Sequence, residues 1–410
     1  MADPRTLRAA MPILLGAAIM LSLSMGIRQV FGLFVQPIAK DLALTVSDVA
    51  LALSVQNLSW GFLQPFVGAL VVRTGFRPVM LSGAVLYVAG LALLAGSHGM
   101  LGVTIGAGVL IGMSLACTAS AMALATVSRA VPEAIRSTVL GVITGVGSLG
   151  ALAAAPLGQS VTAAFGWRAG VLAILVLALG IFPAAWFAGR ADRIEVPRSS
   201  GGQIDNVSAM TAIRASLRRV PFLIMTGSYF VCGMQLLFIS VHLPSYLALC
   251  GMDPMLSAEA LSVIAIFNVF GSVFFGWAGG RWPKLVLLGM LYVTRSLVLC
   301  WYFISPPTPE STLVFAALMG FLWLGVGPLI AGSVVEMFGL RWQAMFQGIA
   351  FTSHQLGSFL GAFGGGLLFD RFGSYDLAWR LAVAMGLTAG IVQIVAASMR
   401  PGTVAIKSAN

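Results

Sequence analysis

Stretches of about 20–30 mostly apolar residues, each closed by charged or turn-forming residues, follow one another along almost the whole chain. Twelve are readable: 12–39, 47–72, 78–97, 101–128, 135–164, 168–189, 221–249, 257–280, 284–304, 312–337, 343–369 and 377–398. Several exceed the ~20 residues a helix needs to cross a bilayer, so tilt or extension past the lipid is expected. The predicted fold is an all-α membrane protein of twelve transmembrane helices.

Arg28 interrupts the first stretch far from either end. An arginine at that depth costs at least ~2.5–3.5 kcal/mol on insertion scales, so it must face water, a partner or a ligand. Arg295 is the one comparable residue, and no carboxylate lies deep in any stretch to neutralise either. Uncompensated positive charge inside the bilayer points to an anion.

Composition fits this reading: 59% of residues are hydrophobic and 9% charged, against about 25% charged in a soluble domain. The 48 glycines suit helices that approach closely in lipid. The net charge of +10 is not a sign of nucleic acid, because the basic residues fall in short loops. With the N-terminus in the cytoplasm, 17 Lys and Arg lie on the side of the termini, against Lys40, Arg168, Arg371 and Arg380 opposite. That asymmetry predicts cytoplasmic termini and a multi-pass protein of the cell (inner) membrane. Cys117, Cys232, Cys250 and Cys300 lack metal-ligand spacing and read as packing residues. No metal and no cofactor are expected.

The longest polar stretch, Arg190 to Val220, holds Pro197, Ser199, Ser200, Gly201 and Gly202 before a basic segment, and divides the spans six and six. It reads as a flexible linker ending in a short amphipathic surface helix. The two halves echo each other. Leu86-Tyr87-Val88 recurs as Leu291-Tyr292-Val293, Gly141 and Gly150 as Gly348 and Gly357, and Trp167-Arg168 as Trp379-Arg380. The offsets are nearly equal, which argues for two pseudo-symmetric six-helix bundles (1–190 and 221–410, joined by 191–220) with a site between them.

Twelve spans, the 6+6 repeat and the basic central loop resemble the major facilitator superfamily of transporters. Its loop between spans 2 and 3 usually reads Gly-x-x-x-Asp-Arg-x-Gly-Arg-Arg/Lys. Here Gly68, Arg73, Gly75 and Arg77 are in place, but Val72 stands where the acid belongs. The second copy, Gly276 to Arg281, also lacks it, which leaves Arg73 and Arg281 for carbonyls or lipid phosphates. The segments Gly26–Phe34, Gln56–Gly61, His242–Tyr246 and Phe267–Ser272 resemble the bacterial branch related to monocarboxylate porters. Porters of that kind typically hold a carboxylate with a basic residue in span 8; this chain has Asn268 in that region.

The resemblance implies that spans 1, 4, 7 and 10 line a cavity, that 2, 5, 8 and 11 flank it, and that 3, 6, 9 and 12 lie outside. On that basis the expected substrate-binding residues are Arg28, Gln56, Asn57, Trp60, Tyr229, Gln235, His242, Asn268, His354 and Gln355. The guanidinium fork of Arg28 suits a carboxylate or phosphate; pinning to helix-end carbonyls or amides is its bland alternative. The amides of span 2 serve equally as bonds between helices. Arg295, on an outer span, is expected to pack inward against its own bundle. His354, in mid-span, is the proton-coupling candidate. Arg73, Arg129, Glu336, Arg341 and Asp370 are gate candidates, with Glu336 expected to pair with Arg341 or Arg129.

Nothing reads as an enzyme: the sequence has no phosphate-cradling glycine loop with lysine and no paired carboxylates in mid-membrane. The expectation is secondary active transport of a small organic anion, in the first place a monocarboxylate, by alternating access. Proton coupling is left open, and the protein is expected to be a monomer in the lipid bilayer. An exporter of drugs or toxic compounds is the alternative within transport. A membrane sensor that transports nothing is the alternative outside it.

Overall fold

The computed structural model describes residues 4–195, 208–304 and 307–398. Residues 196–207 of the expected linker lie outside the described residues, and so do the basic positions Arg198, Arg400 and Lys407. The described residues hold no strand. Twelve spans cross the apolar layer, and several are built from more than one helical piece.

Span 1 is Pro4–Gln29 followed by Gly32–Asp41; span 2 is Val46–Thr74; span 3 is Phe76–Ala95. Span 4 runs from Met100 to Ala130, with a π-helical section at Thr104–Leu110 and a break at Ala119. Span 5 is Glu133–Gly147 and Gly150–Phe165, and span 6 is Trp167–Ala178 and Ile181–Ala188. The second half has continuous helices for spans 7, 8, 9, 11 and 12: Val220–Leu249, Pro254–Gly279, Lys284–Ile304, Gln343–Phe372 and Asp376–Ser398. Span 10 is broken between Pro309–Phe321 and Val326–Phe338. A short helix, Ala209–Ser216, precedes span 7 and carries Arg214 beside the exposed Met210.

Nine stretches among the described residues are long and apolar enough to cross a membrane by composition alone. Spans 2, 5 and 11 are not among them. For spans 2 and 11 the reason is where they sit. Spans 2 and 11, and spans 5 and 8, form the seam between the two bundles, so spans 2 and 11 carry amides and glycines that face the other half instead of lipid.

The seam is made by missing side chains. A Cβ at Gly141 would lie 2.5 Å from the Ser272 carbonyl oxygen, and one at Gly276 would lie 2.5 Å from Gly141 Cα. On the other side of the molecule, a Cβ at Gly68 would meet the Ala344 backbone at 2.5 Å, and one at Gly348 the Gln64 backbone at 2.8 Å. Backbones approach this closely only where both helices lack bulk. The bonds between halves run from the face that bears the termini up to mid-membrane: Gln343 Nε2–H donates to Ser128 Oγ (2.9 Å), Thr352 Oγ–H to the Gly61 carbonyl (2.7 Å), and Gln355 Nε2–H to the Asn57 carbonyl (3.1 Å).

The internal repeat is visible in packing. Tyr87 in span 3 and Tyr292 in span 9 are both fully buried, and Trp167 and Trp379 are both buried at the starts of spans 6 and 12. On the face away from the termini, Asp41 accepts from Trp167 Nε1–H (3.0 Å) and pairs with Arg168, whose other amine donates to the Ser97 carbonyl (2.9 Å). The bonds from Trp167 and Arg168 hold the Asp41 carboxyl below the usual carboxylate range.

The acid missing at position 72 has a counterpart elsewhere. Asp192, just past span 6, accepts from the Phe76 N–H (2.7 Å) and the Arg77 N–H (2.9 Å). These are free donors of the first turn of span 3, and the carboxylate also suits the positive end of that helix. Gly75, at φ +87°, lets the chain turn from span 2 straight into span 3 beneath it.

Candidate functional site

Four of the helix breaks surround one chamber. Span 1 loosens at Val30–Phe31, span 4 at Ala119, span 5 at Ser148–Leu149 and span 10 at Leu322–Gly325. Residues next to each break (Phe31, Ser120, Ser148 and Leu324) line a cavity of about 670 Å³ between the halves. Irregular backbone is tolerated at membrane depth where it borders such a cavity. The close helix crossings and the Gln343–Ser128 bond lie on the termini side of this cavity. No acidic side chain lines it among the described residues.

Arg28 sits in the last turn of the first piece of span 1, where the carbonyl end of the helix favours a cation. Gly26 brings that turn against span 5: a Cβ there would lie 2.3 Å from the Gly150 carbonyl carbon. Arg28 Nη2–H donates to Asn57 Oδ1 at 2.6 Å, and its Cζ lies 5.2 Å from the centre of the Trp60 ring. Nε and Nη1 make no hydrogen bond among the described residues. The guanidinium is therefore held by one amide and an aromatic face, with donors to spare and no counter-charge.

Asn57 joins the two halves. Its Oδ1 also lies 3.4 Å from Gln355 Nε2, which donates to the Asn57 carbonyl as well. Gln355 Oε1 lies 3.3 Å from His354 Nδ1. Ser358 Oγ lies 3.4 Å from the same nitrogen, and Nε2 has no hydrogen bond among the described residues. Gly61 admits this arrangement, since a Cβ there would sit 2.7 Å from Gln355 Cβ.

Of the expected binding residues, Arg28, Gln56, Asn57, Trp60, Tyr229, Asn268, His354 and Gln355 all line the cavity. Two of these tie the wall to neighbouring backbone. Gln56 Nε2–H donates to the Ala107 carbonyl (2.7 Å) in the π-helical section of span 4. Asn268 Oδ1 accepts from the Leu324 N–H (3.0 Å), a donor left free by the break in span 10. Both bind helices to one another and form wall, which is the bond-between-helices alternative for the span 2 amides.

Gln235 and His242 lie outside the cavity, which corrects their expected place. On span 7 the cavity face is Tyr229, Cys232, Leu236 and Ser240. Gln235 points at spans 9 and 12, donating to the Ala382 carbonyl (2.8 Å) and accepting from Arg295 Nε–H (3.0 Å). His242 packs against span 11, within bonding distance of the Ala362 carbonyl (2.8 Å) and the Tyr375 hydroxyl (3.2 Å). Arg295 is fully buried in its own bundle, as expected, and also donates to Cys232 Sγ (3.3 Å).

The gate candidates separate as well. Glu336 pairs with Lys284 of its own bundle and not with Arg341 or Arg129, because Lys284 starts span 9 directly beside it. Arg73 and Asp370 are exposed at span ends. Arg129 lies over the Phe76 ring at 4.6 Å, within electrostatic reach of Asp192 and of Arg341 from the other half. The buried bond across this face belongs to Gln343 and Ser128. Uncharged and short-range, that pair gives no signal in a sequence. Phe351, Ser120 and Thr144 also line the chamber without having been singled out.

Comparison with known proteins adds three findings. Residues 15–362 match the sequence model of a family described as the Major Facilitator Superfamily. The chain is 28% identical over 390 residues to monocarboxylate transporter 13 of Bos taurus, covering 93% of this chain and 88% of that protein. It is 23% identical over 386 residues to the uncharacterized MFS-type transporter YcxA of Bacillus subtilis, covering 90% of each. In three dimensions it is similar to FucP, a transporter of the same superfamily in the outward conformation, with TM-score 0.73, 15% identity and coverage of 96% and 99%. It is also similar to the proton:xylose symporter XylE, with TM-score 0.70, 16% identity and coverage of 93% and 94%. At these identities the two structures speak for the fold alone.

Proposed function

The chain belongs to the Major Facilitator Superfamily, and on that premise we propose that it carries small organic anions of the monocarboxylate class by alternating access. It is a secondary transporter. The observation that supports the anion reading is Arg28: a cation at the wall of a chamber without acidic residues, with two of its donor nitrogens unpartnered. A carboxylate suits Nη1, which unlike Nε is not enclosed, as a charge-assisted pair. The relationship to monocarboxylate transporter 13 favours the same class.

In this reading 1–190 and 221–410 are the two rocking bodies, 191–220 joins them, and the termini are cytoplasmic in a cell (inner) membrane. The protein acts as a monomer, since the chamber is complete within one chain. Outward-open is the state this reading assigns, with the glycine crossings and the Gln343–Ser128 bond sealing the cytoplasmic side. Bound anion neutralises Arg28 and lets the halves close over the chamber from the other side.

The sign of the substrate's charge is tested by thermal shift on purified protein with short carboxylates and with lipophilic cations. Stabilisation by acids and not by cations is expected; stabilisation by cations alone would reverse the reading. Proton coupling is assigned to His354. Protonation of the ring adds a second positive charge facing the anion, so uptake rises as pH falls. His354→Gln is expected to flatten that profile in proteoliposomes, and an identical pH profile would remove His354 from the coupling.

A further inference from the structure

We propose that the chamber selects carboxylates that carry an aromatic ring over short alkyl acids; this deepens, and rests on, the anion reading of the same site. A continuous aromatic surface begins at Arg28. The Trp60 ring lies 5.2 Å from Arg28 Cζ and 4.5 Å from the Phe351 ring. Phe351 stacks almost parallel to His354, at 5.6 Å and 10°, and Tyr229 lies 4.5 Å from His354 and 6.5 Å from Phe351. All of these residues line the cavity. Centroid spacings and tilts of this kind are those of aromatic pairs in general, so the row offers faces and edges to which one more ring adds.

The first ring is set in place. Trp60 Nε1–H donates to Gln64 Oε1 (3.0 Å), and Gln64 in turn donates to the Ala116 carbonyl (2.9 Å), so the indole cannot turn without breaking its bond to an amide that is itself held in place. A bound ring meets a wall already oriented, which lowers the ordering cost of binding.

Size points the same way. The cavity of about 670 Å³ is in the range that encloses a drug-sized molecule. A two- or three-carbon acid held at Arg28 would reach Trp60 and leave Phe351, His354 and Tyr229 facing water. A carboxylate one or two atoms from an aryl ring carries that ring past Trp60 to Phe351. It would touch Trp60 of the first half and Phe351 of the second together, which is what a cargo must do to draw the halves in.

The test uses the full-length protein in detergent and in liposomes, with phenylacetate, indole-3-acetate, cyclohexylacetate, propionate and neutral phenylacetamide as probes. The aryl acids are expected to bind at least about tenfold tighter than propionate, a difference of about 1.4 kcal/mol. Phenylacetamide should bind far more weakly than phenylacetate. Phe351→Leu and Trp60→Leu should each collapse the aryl-to-alkyl ratio, and Trp60→Phe should retain most of it. Propionate binding as tightly as phenylacetate would overturn the aromatic preference and leave the anion reading standing. So would cyclohexylacetate binding as tightly as phenylacetate. Phenylacetamide matching phenylacetate, or no acid binding at all, would overturn both.

Discussion

Arg28→Gln is expected to weaken carboxylate binding by about 30-fold to several thousand-fold while the protein stays folded in detergent. Losing one partner of a buried, hydrogen-bonded charge pair costs about 2–5 kcal/mol, and every 1.4 kcal/mol is tenfold. Glutamine reaches part of the same space and can still bond the Asn57 amide, so the wall between spans 1 and 2 is not left with a hole. The empty protein also loses an unpaired cation whose burial opposed folding, and its melting temperature should hold or rise. Arg28→Lys should fall between the two, because an ammonium keeps the charge but not the planar fork that now divides its donors between Asn57 and open space. Titration calorimetry with a carboxylate probe and a melting curve on the same sample read both effects. Unchanged affinity in Arg28→Gln would remove the anchor.

Gly276→Val is expected to reduce transport severely through the seam, without touching the chamber. Its Cβ would need to sit 2.5 Å from Gly141 Cα and 2.8 Å from the Ser137 carbonyl oxygen, and backbone cannot step aside as a side-chain tip does. Overpacking of this kind costs about 1–3 kcal/mol. The cost falls only on the state in which the termini side is sealed. The conformational equilibrium would therefore shift about 5- to 150-fold away from it. Thiol labelling of single cysteines placed on the two faces should show the termini side opening and the other side closing, with transport lost. Gly364→Ala is the control, since its Cβ would meet only Leu360 Cδ1 at an ordinary 3.5 Å. Equal labelling of Gly276→Val and the wild type would mean that the glycine crossing does not limit the cycle.

The spans were legible because hydropathy over two dozen residues leaves few alternatives. The helix breaks were not. Pro37, Pro65, Pro156 and Pro244 all sit inside continuous helices, while the breaks at Val30–Phe31, Ala119, Ser148–Leu149 and Leu322–Gly325 contain no proline. These breaks depend on tertiary partners that meet the freed groups, as Asn268 does for Leu324, and a linear pattern does not carry that information. At the chamber, Arg28, Asn57, His354 and Gln355 stood out because polar groups at membrane depth need a reason. Gln235 and His242 stood out for the same cause, yet their reason lies elsewhere. Span 7 has polar residues over a broad sector, and helical spacing does not separate the part facing the chamber from the part facing spans 9, 11 and 12. Glu336 is expected to meet Arg341 or Arg129 from its place at the cytoplasmic end of span 10, whereas its partner is Lys284 at the start of span 9.

The bond between Arg28 and Asn57 has a consequence for the return stroke. Asn57 Oδ1 occupies Nη2, so an acid that uses Nη1 leaves that bond in place and arrives at a guanidinium already aimed. The amide is neutral, however, and the empty chamber keeps the full charge of the cation. In the proposed cycle the unloaded return is therefore the slower stroke, and exchange of one acid for another outpaces net movement.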